Sequence, residues 1–458
     1  MTRIEMRELK KQEENQLREF LKFQNHFFKK LNNHLESVKD PRHQSYTKYE
    51  IDEILMTVIF KNICNVKSMR QMTKEFNTNE SIENFKLLLD DEEIVEIPHY
   101  VTINDLLKRL ETAELEEVRK EIIKDIIRRK TFYEERLLGK KWKIIFDATD
   151  TFSFKERHCE HCLTQTFNKG TEDEKTRYSH KVLEAKIVLS DNLIISIGTE
   201  FIENEHEGVS KQDCEIKGFK RLAIKLKKDY PRLPICILGD SLYAAKPIME
   251  ICKEYNWDYL IRFKDGSIPT IAEEFRNIIE LQKKNEKDIK WVNEIDYYEN
   301  KVNVLEFNKK IKDNDETIEK KTNFKWITNI EITDKNVIEL IQTGRQRWKI
   351  ENEGFNTQKN LRYDITHANS LNYNAMKNHY LLTQISDIFL QLYTAGNKMI
   401  KILKKSIKKI SSDILKWLTT TILSKDDINY IQKRTTIHFV WQDNCTRKWW
   451  YMKPKNKN

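Results

Sequence analysis

Glycine and proline are scarce in this chain of 458 residues, at 10 and 7. That is roughly 2% each, against about 7% and 5% in typical proteins, so collagen-like and Pro/Gly-rich low-complexity chains are excluded. Long apolar runs are also missing. None approaches the ~18–20 residues needed to cross a bilayer, and the longest, such as Ile54–Phe60, are core-sized. The amino-terminal MTRIEMRELKKQEENQ has no apolar stretch of the kind a secretory signal needs. Cysteine is sparse and scattered: seven residues, at 64, 159, 162, 214, 236, 252 and 445. An odd, dispersed set suits a reducing compartment better than a disulfide framework, so a cytoplasmic protein without a membrane partner is expected. No GxGxxG or Walker loop cradles a phosphate, and no nucleophile elbow marks a Ser hydrolase.

What is present can build a sizeable core. Hydrophobic residues make up 39% and aromatics 10%, alongside 33% charged residues. The 81 Lys and Arg exceed the 72 Asp and Glu, giving a net +9. That excess is concentrated: residues 396–458 hold 15 basic against four acidic residues, a net +11, which leaves −2 on the rest. Lys401–Ile410 has the pattern of a basic amphipathic helix, and DNA-backbone contact is the favoured use of this tail. Removing it is expected to weaken DNA binding and leave the remainder in place.

Residues 1–138 show helical spacing, as in Leu17, Phe20, Leu21, Phe27, Phe28 and Leu31, and Asn104 or Thr102 is the expected cap of the helix holding Leu106, Leu107 and Leu110. From residue 140 the texture changes. Lys143–Asp147 is a short apolar run ending in a carboxylate, and residues 180–190 and 192–202 form a hairpin pattern around Ser190-Asp-Asn192. A helix over 211–229, a buried strand ending at Asp240, a helix over 244–255 and a strand over 259–263 follow. Residues 264–323 are polar with strand-like pieces. A strand at 324–328, helices from about 335 and 346, and an apolar helix over 371–395 complete the pattern. The fold class expected is α/β, a mixed sheet flanked by helices. The organisation expected is an N-terminal helical domain at 1–138, a catalytic domain at 139–263 and 324–395, a β-rich insertion at 264–323 and the basic tail at 396–458.

Three carboxylates stand out. Asp147 and Asp240 end strands, where sites of such sheets lie, and Glu351 sits on a helix four residues after Arg347. Were the two strands neighbours, their ends would lie ~4.8 Å apart. Carboxylates that close repel unless hard cations separate them, and a metal pair suits in-line displacement at phosphorus. Arg345, Arg347 and Lys349 would draw DNA phosphates beside them. Taken singly, a strand-end Asp is more often a turn cap, and an Arg/Glu pair at i,i+4 a surface salt bridge.

The stretches FDATD at 146–150, LPICILGDSLYA at 233–244 and RWKIENEGFNTQKN at 347–360 together resemble insertion-sequence transposases of the DDE type, over roughly residues 90–395. The resemblance implies a ribonuclease H-like catalytic domain and places the metal-binding, catalytic triad on Asp147, Asp240 and Glu351, with Glu353 as the alternative third carboxylate. Arg347 falls on the arginine of the family's Tyr-Arg-Glu-Lys helix motif. The Tyr position holds Gly344 and the Lys position Gln358, with Lys359 one residue later; Lys359 joins Arg345, Arg347 and Lys349 as a DNA-binding candidate. Asp150 stands where relatives of the subgroup tend to carry Gln. The resemblance further implies Mg²⁺ with Mn²⁺ as substitute, double-stranded DNA partners (terminal inverted repeats and target DNA), a homodimer on DNA, and a nucleoid-associated bacterial setting. A nuclease without strand transfer and an inactive DNA-binding descendant are the competing readings.

Two further features stand apart. His158-Cys159-Glu160-His161-Cys162 holds a CxxC pair able to grip zinc, with His180, His206 or Cys214 as further ligands. Trp291, Tyr297 and Tyr298 could stack on a distorted base or fill a small core. His367 and His379 are expected to be structural or surface groups.

Overall fold

The computed structural model describes residues 15–43, 45, 47–282, 288–312, 319–433 and 439. Helices come first: α1 (Gln16–Phe27), α2 (Leu31–Glu36), α3 (Ile51–Ile63), α4 (Met69–Phe76), α5 (Asn79–Leu89), α6 (Tyr100–Arg109) and α7 (Thr112–Arg128). In α1 the buried apolar residues are Leu17, Phe20, Leu21 and Phe27, and the Asn15 side chain accepts from Arg18 N at 3.0 Å. Helix α6 starts earlier than expected, with His99 rather than Asn104 or Thr102 as its cap.

The sheet region runs β1 (Trp142–Phe154), β2 (Leu163–Phe167), β3 (Lys175–Ser190), β4 (Leu193–Ile202), α8 (Glu215–Asp229), β5 (Ile235–Gly239), α9 (Lys246–Tyr255), β6 (Asp258–Arg262), α10 (Pro269–Leu281), β7 (Ile289–Tyr297), β8 (Asn300–Lys312) and β9 (Glu319–Thr328). Then come α11 (Val337–Arg345), an irregular helical stretch to Arg362, α12 (Tyr373–Gly396), α13 (Lys398–Leu403), α14 (Ile407–Thr420) and α15 (Lys425–Gln432).

Strand β1 is central. It pairs antiparallel with β3, which carries both β2 and β4 on its other edge, and parallel with β5, which pairs parallel with β6. An antiparallel meander on one side of β1 and parallel strands on the other make the mixed sheet expected of a ribonuclease H-like domain. Alternate residues of β1 face opposite cores: Ile144 and Phe146 pack with Phe219 and Leu222 of α8, and Ile145 packs with Leu340 of α11 and Ile350. Both faces are covered, so burial is nearly continuous along β4 and from Val182 to Ser190 of β3, where Glu184 and Lys186 are buried among apolar neighbours.

The polar segment 264–323 does not build a sheet of its own. Strand β9 pairs antiparallel with β6, so β9, β8 and β7 prolong the main sheet. Trp291 packs against the core and Tyr297 is partly buried, while Tyr298 is 71% exposed.

The amino-terminal helices share one core with the sheet and with α12, which packs on α1, α3, α6, α7 and β4. Asn378 of α12 donates to the carbonyls of Leu107 (2.9 Å) and Leu110 (2.7 Å) at the end of α6. The basic carboxyl-terminal region also joins this body. Helices α13 and α14 are separated by Lys404 in a left-handed conformation (φ 48), so 401–410 is not one helix. Ile400, Ile410, Ile414, Leu418 and Leu423 are buried, and Asn84 Nδ2 donates to the carbonyls of Leu418 (3.0 Å) and Thr421 (2.9 Å). Cutting at residue 396 would therefore strip core, contrary to the expectation that the tail is separable. The rest of that tail, 434–438 and 440–458, lies outside the described residues. Among the described residues no helix is long and apolar enough to cross a membrane.

Candidate active site

Register places the first two carboxylates side by side. Ile145 of β1 is paired with Leu238 of β5, and Leu238 with Leu260 of β6. Two residues on, Asp147, Asp240 and Arg262 stand in one row where the three parallel strands end their mutual pairing. Neighbouring strands lie about 4.8 Å apart, so the row is a tight one. Asp147 is not at the end of its strand, because β1 continues to Phe154 alongside β3. Asp240 also caps the turn after β5, accepting from Leu242 N at 2.8 Å.

The third carboxylate arrives from the opposite direction. The segment after α11 is a 3₁₀ turn at Gln346–Trp348 and then π-helical over Ile350–Asn356 and Gln358–Arg362, not a regular α-helix as expected. Such widened turns recur at functional sites. Ile350 and Phe355 face the core, which leaves Glu351 exposed toward the strand ends. Arg347 Nη1 donates to Glu351 Oε1 at 2.7 Å, so the i,i+4 pairing is realised.

The charges converge on Asp147. Its carboxyl is pushed up to about 7, first by burial and then by Glu215, Glu351 and Asp240, with Arg347 opposing them. Glu353 instead acts on Arg362. Glu215 is a carboxylate that sequence reasoning missed. It opens α8, accepts from Tyr243 Oη at 2.6 Å, and is itself raised chiefly by burial and by Asp240. A Glu in the first turn of a helix looks like an ordinary favourable charge at the positive helix end, so nothing local in the sequence could single it out. Arg262 was also missed. It lies against Phe324, with its guanidinium carbon 4.9 Å from the ring centroid, and burial together with Arg347 lowers its pKa.

The other predicted cations separate. Arg345 lies over Phe324 at 5.6 Å, close to Arg262, which lies over the same ring. Lys349 is diverted: its Nζ bonds the Asp191 backbone oxygen and lies 3.1 Å from Asp191 Oδ1, tying the segment to the β3–β4 turn. Lys359 is half-buried and interacts with Asp150, which is also paired with Arg177 at 2.7 Å.

Both departures from the family motif have physical causes. A Cβ on Gly344 would meet Trp326 Nε1 at 2.4 Å, so no side chain fits there. Gln358 is fully buried and donates to Asp387 Oδ2 (2.7 Å) and Gln384 Oε1 (3.0 Å) of α12. Arg362 donates to Asp387 Oδ1 at 2.5 Å, and Lys186 of β3 donates to Gln384 at 3.3 Å. This buried network locks the irregular helix onto α12 and the sheet. A flexible Lys at 358 would have to bury its charge there.

Carboxylates this crowded, with Asp147 pushed up to about 7, fit a divalent cation: hard oxygens are gathered, and positive charge is what the cluster lacks. His379 is buried within α12, where burial and Lys61 push it down to about 3, in keeping with a structural role.

A family described as DDE_Tnp_1-associated matches residues 32–121, and one described as the transposase DDE domain matches residues 192–386. Together they span more than half of the chain; the second contains Asp240 and Glu351, whereas Asp147 lies upstream of it. No curated protein matches. Among solved structures, a piggyBac transposase synaptic complex with hairpin DNA aligns at 11% identity with a TM-score of 0.42, covering 91% of this chain and 86% of that one. The two family matches lie in order along one polypeptide, and the chain belongs to the DDE-type transposases.

Proposed function

We propose that Asp147, Asp240 and Glu351 are the carboxylates with which this DNA transposase holds its divalent ions, Mg²⁺ with Mn²⁺ able to substitute. The observation that carries the reading is the Asp147–Asp240 row opposite Glu351, with all three charges acting on one another at Asp147. Ions bound there supply an activated attacking oxygen and neutralise the leaving oxygen. The chain's own part is positioning. Arg347 orients Glu351 by its 2.7 Å bond and shields the cluster. Arg262 and Arg345 flank the row as a phosphate cradle, since a guanidinium grips phosphate oxygens in a fixed fork. Lys359 offers a second charge on the β1 side. Glu215 stands beside the row as a further acceptor for a proton or an ion.

The substrates fitting this arrangement are the terminal inverted repeats of the parent element and then target DNA, with cleavage exposing a 3′-hydroxyl that attacks a second phosphodiester. The enzyme acts as a homodimer on DNA, in the cytoplasm at the nucleoid. The test uses labelled element ends with Mg²⁺ or Mn²⁺. Wild type cuts and joins, and Asp240→Asn does neither while still retaining the ends in a mobility shift. Wild-type-like cleavage by Asp240→Asn overturns the assignment; nicking without joining by the wild type points to a nuclease instead.

A further inference from the structure

At the far end of β1, three soft donors converge. Cys159 Sγ and Cys162 Sγ are 3.9 Å apart, and His180 Nε2 lies 3.5 Å from the first and 3.6 Å from the second. A tetrahedral zinc with Zn–S of about 2.3 Å and Zn–N of about 2.05 Å requires S···S of about 3.8 Å and S···N of about 3.6 Å. The triangle already has those edges. The sulfurs are too far apart for a disulfide, which bonds at about 2.05 Å.

The surroundings suit a buried ion. Cys162 is 0% and His180 2% exposed, within an apolar shell of Phe152, Tyr373 and Met376. His180 Nδ1 is buried without a hydrogen-bond partner, so nothing else there orients this imidazole by its second nitrogen. The shell is built to hold the donors still. Asn204 Nδ2 donates to Cys162 O at 2.9 Å, Asn204 N to His161 O at 3.2 Å, and Thr151 Oγ1 to His180 O at 3.1 Å. The Tyr373 ring stacks on His180 with centroids 4.1 Å apart, and its hydroxyl donates to Glu203 at 2.6 Å. Outer contacts of this kind fix ligands around a metal.

We infer that Cys159, Cys162 and His180 form a zinc site that braces the β1–β2 loop onto β3 and the start of α12. Two thiolates balance the ion's charge, which removes the electrostatic cost of burying it. Of the other ligands considered from sequence, Cys214 is exposed ahead of α8, and His206 Nδ1 bonds Glu207 O at 2.9 Å. The fourth corner falls to water or to a flanking imidazole: His158 and His161 each have one nitrogen on a backbone carbonyl, and the second nitrogen of His161 lies 3.8 Å from Glu160 Oε1, a contact it would exchange for the metal. The site is independent of the carboxylate row: it uses sulfur and nitrogen, not oxygen.

The full chain, purified without chelator and dialysed, should retain about one zinc by elemental analysis. Replacing it with Co²⁺ should give tetrahedral d–d bands and a sulfur-to-cobalt charge-transfer band. Cys162→Ser and His180→Asn should lose the metal, whereas Cys214→Ser and Asp240→Asn should keep it. Should Cys162→Ser fail to fold, the cobalt spectrum of the unaltered chain still decides. Wild-type protein without tightly held metal, a cobalt spectrum lacking the sulfur band, or zinc retained by both ligand variants would each overturn the assignment.

Discussion

The middle of β1 and the loop that follows its last residue carry opposite kinds of chemistry. At Asp147 the strand meets hard, partly exposed oxygens that repel one another and are countered by Arg347. Past Phe154 the chain leads to two thiols and an imidazole in a largely apolar shell. The first arrangement suits exchangeable ions that must reach a substrate, and the second an ion that stays. One strand thus joins the proposed ion site to the proposed zinc site.

That contrast can be broken experimentally. The largest effect is expected from Asp147→Asn, which should lower the cleavage rate by about 10³-fold or more, roughly 4 kcal/mol of transition-state stabilisation, without changing zinc content. Gel-based cleavage and elemental analysis on the same preparation would check it, and a coupled loss would merge the two sites into one. Next comes the support beneath Glu351. Asp387→Ala leaves the buried Arg362 uncompensated and should cost about 3–5 kcal/mol in denaturant unfolding. Removing zinc with a strong chelator should destabilise wild type by about 2–4 kcal/mol and leave Cys162→Ser unaffected. The smallest effect belongs to Glu353→Gln, within about 0.5 kcal/mol in stability and near wild type in cleavage, whereas Glu351→Gln should be inactive; the reverse order would move the third carboxylate to Glu353.

Much of the carboxylate end is legible locally. The apolar run ending at Asp240 announces a strand end, the run ending at Asp147 marks only where β1 stops pairing with β5, and the Arg347–Glu351 spacing is close to a helical period. Glu215 and Arg262 are invisible by the same logic, because only strand register and the packing of α8 bring them to the row. Lys349 illustrates the reverse error. Its sequence neighbours suggest DNA, yet Asp191, 158 residues away in the chain, captures it. At the other end, CxxC was legible as a half-site, but the choice of His180 over His206 or Cys214 depends on the pairing of β1 with β3.

The sequence alone determined most of the elements and the residue types: alternation and period are local properties, and so is the pair of sulfurs three residues apart. It also carried the concentration of charge in residues 396–458. Tertiary structure decided which charges meet, that the amino-terminal helices, the sheet and helices α13 and α14 share one core, and that the segment bearing Glu351 departs from α-helical geometry. The physical reason is range. Periodicity and capping act within a few residues, whereas electrostatic and packing neighbours are set by register and by the faces two elements bury, which a linear pattern does not encode.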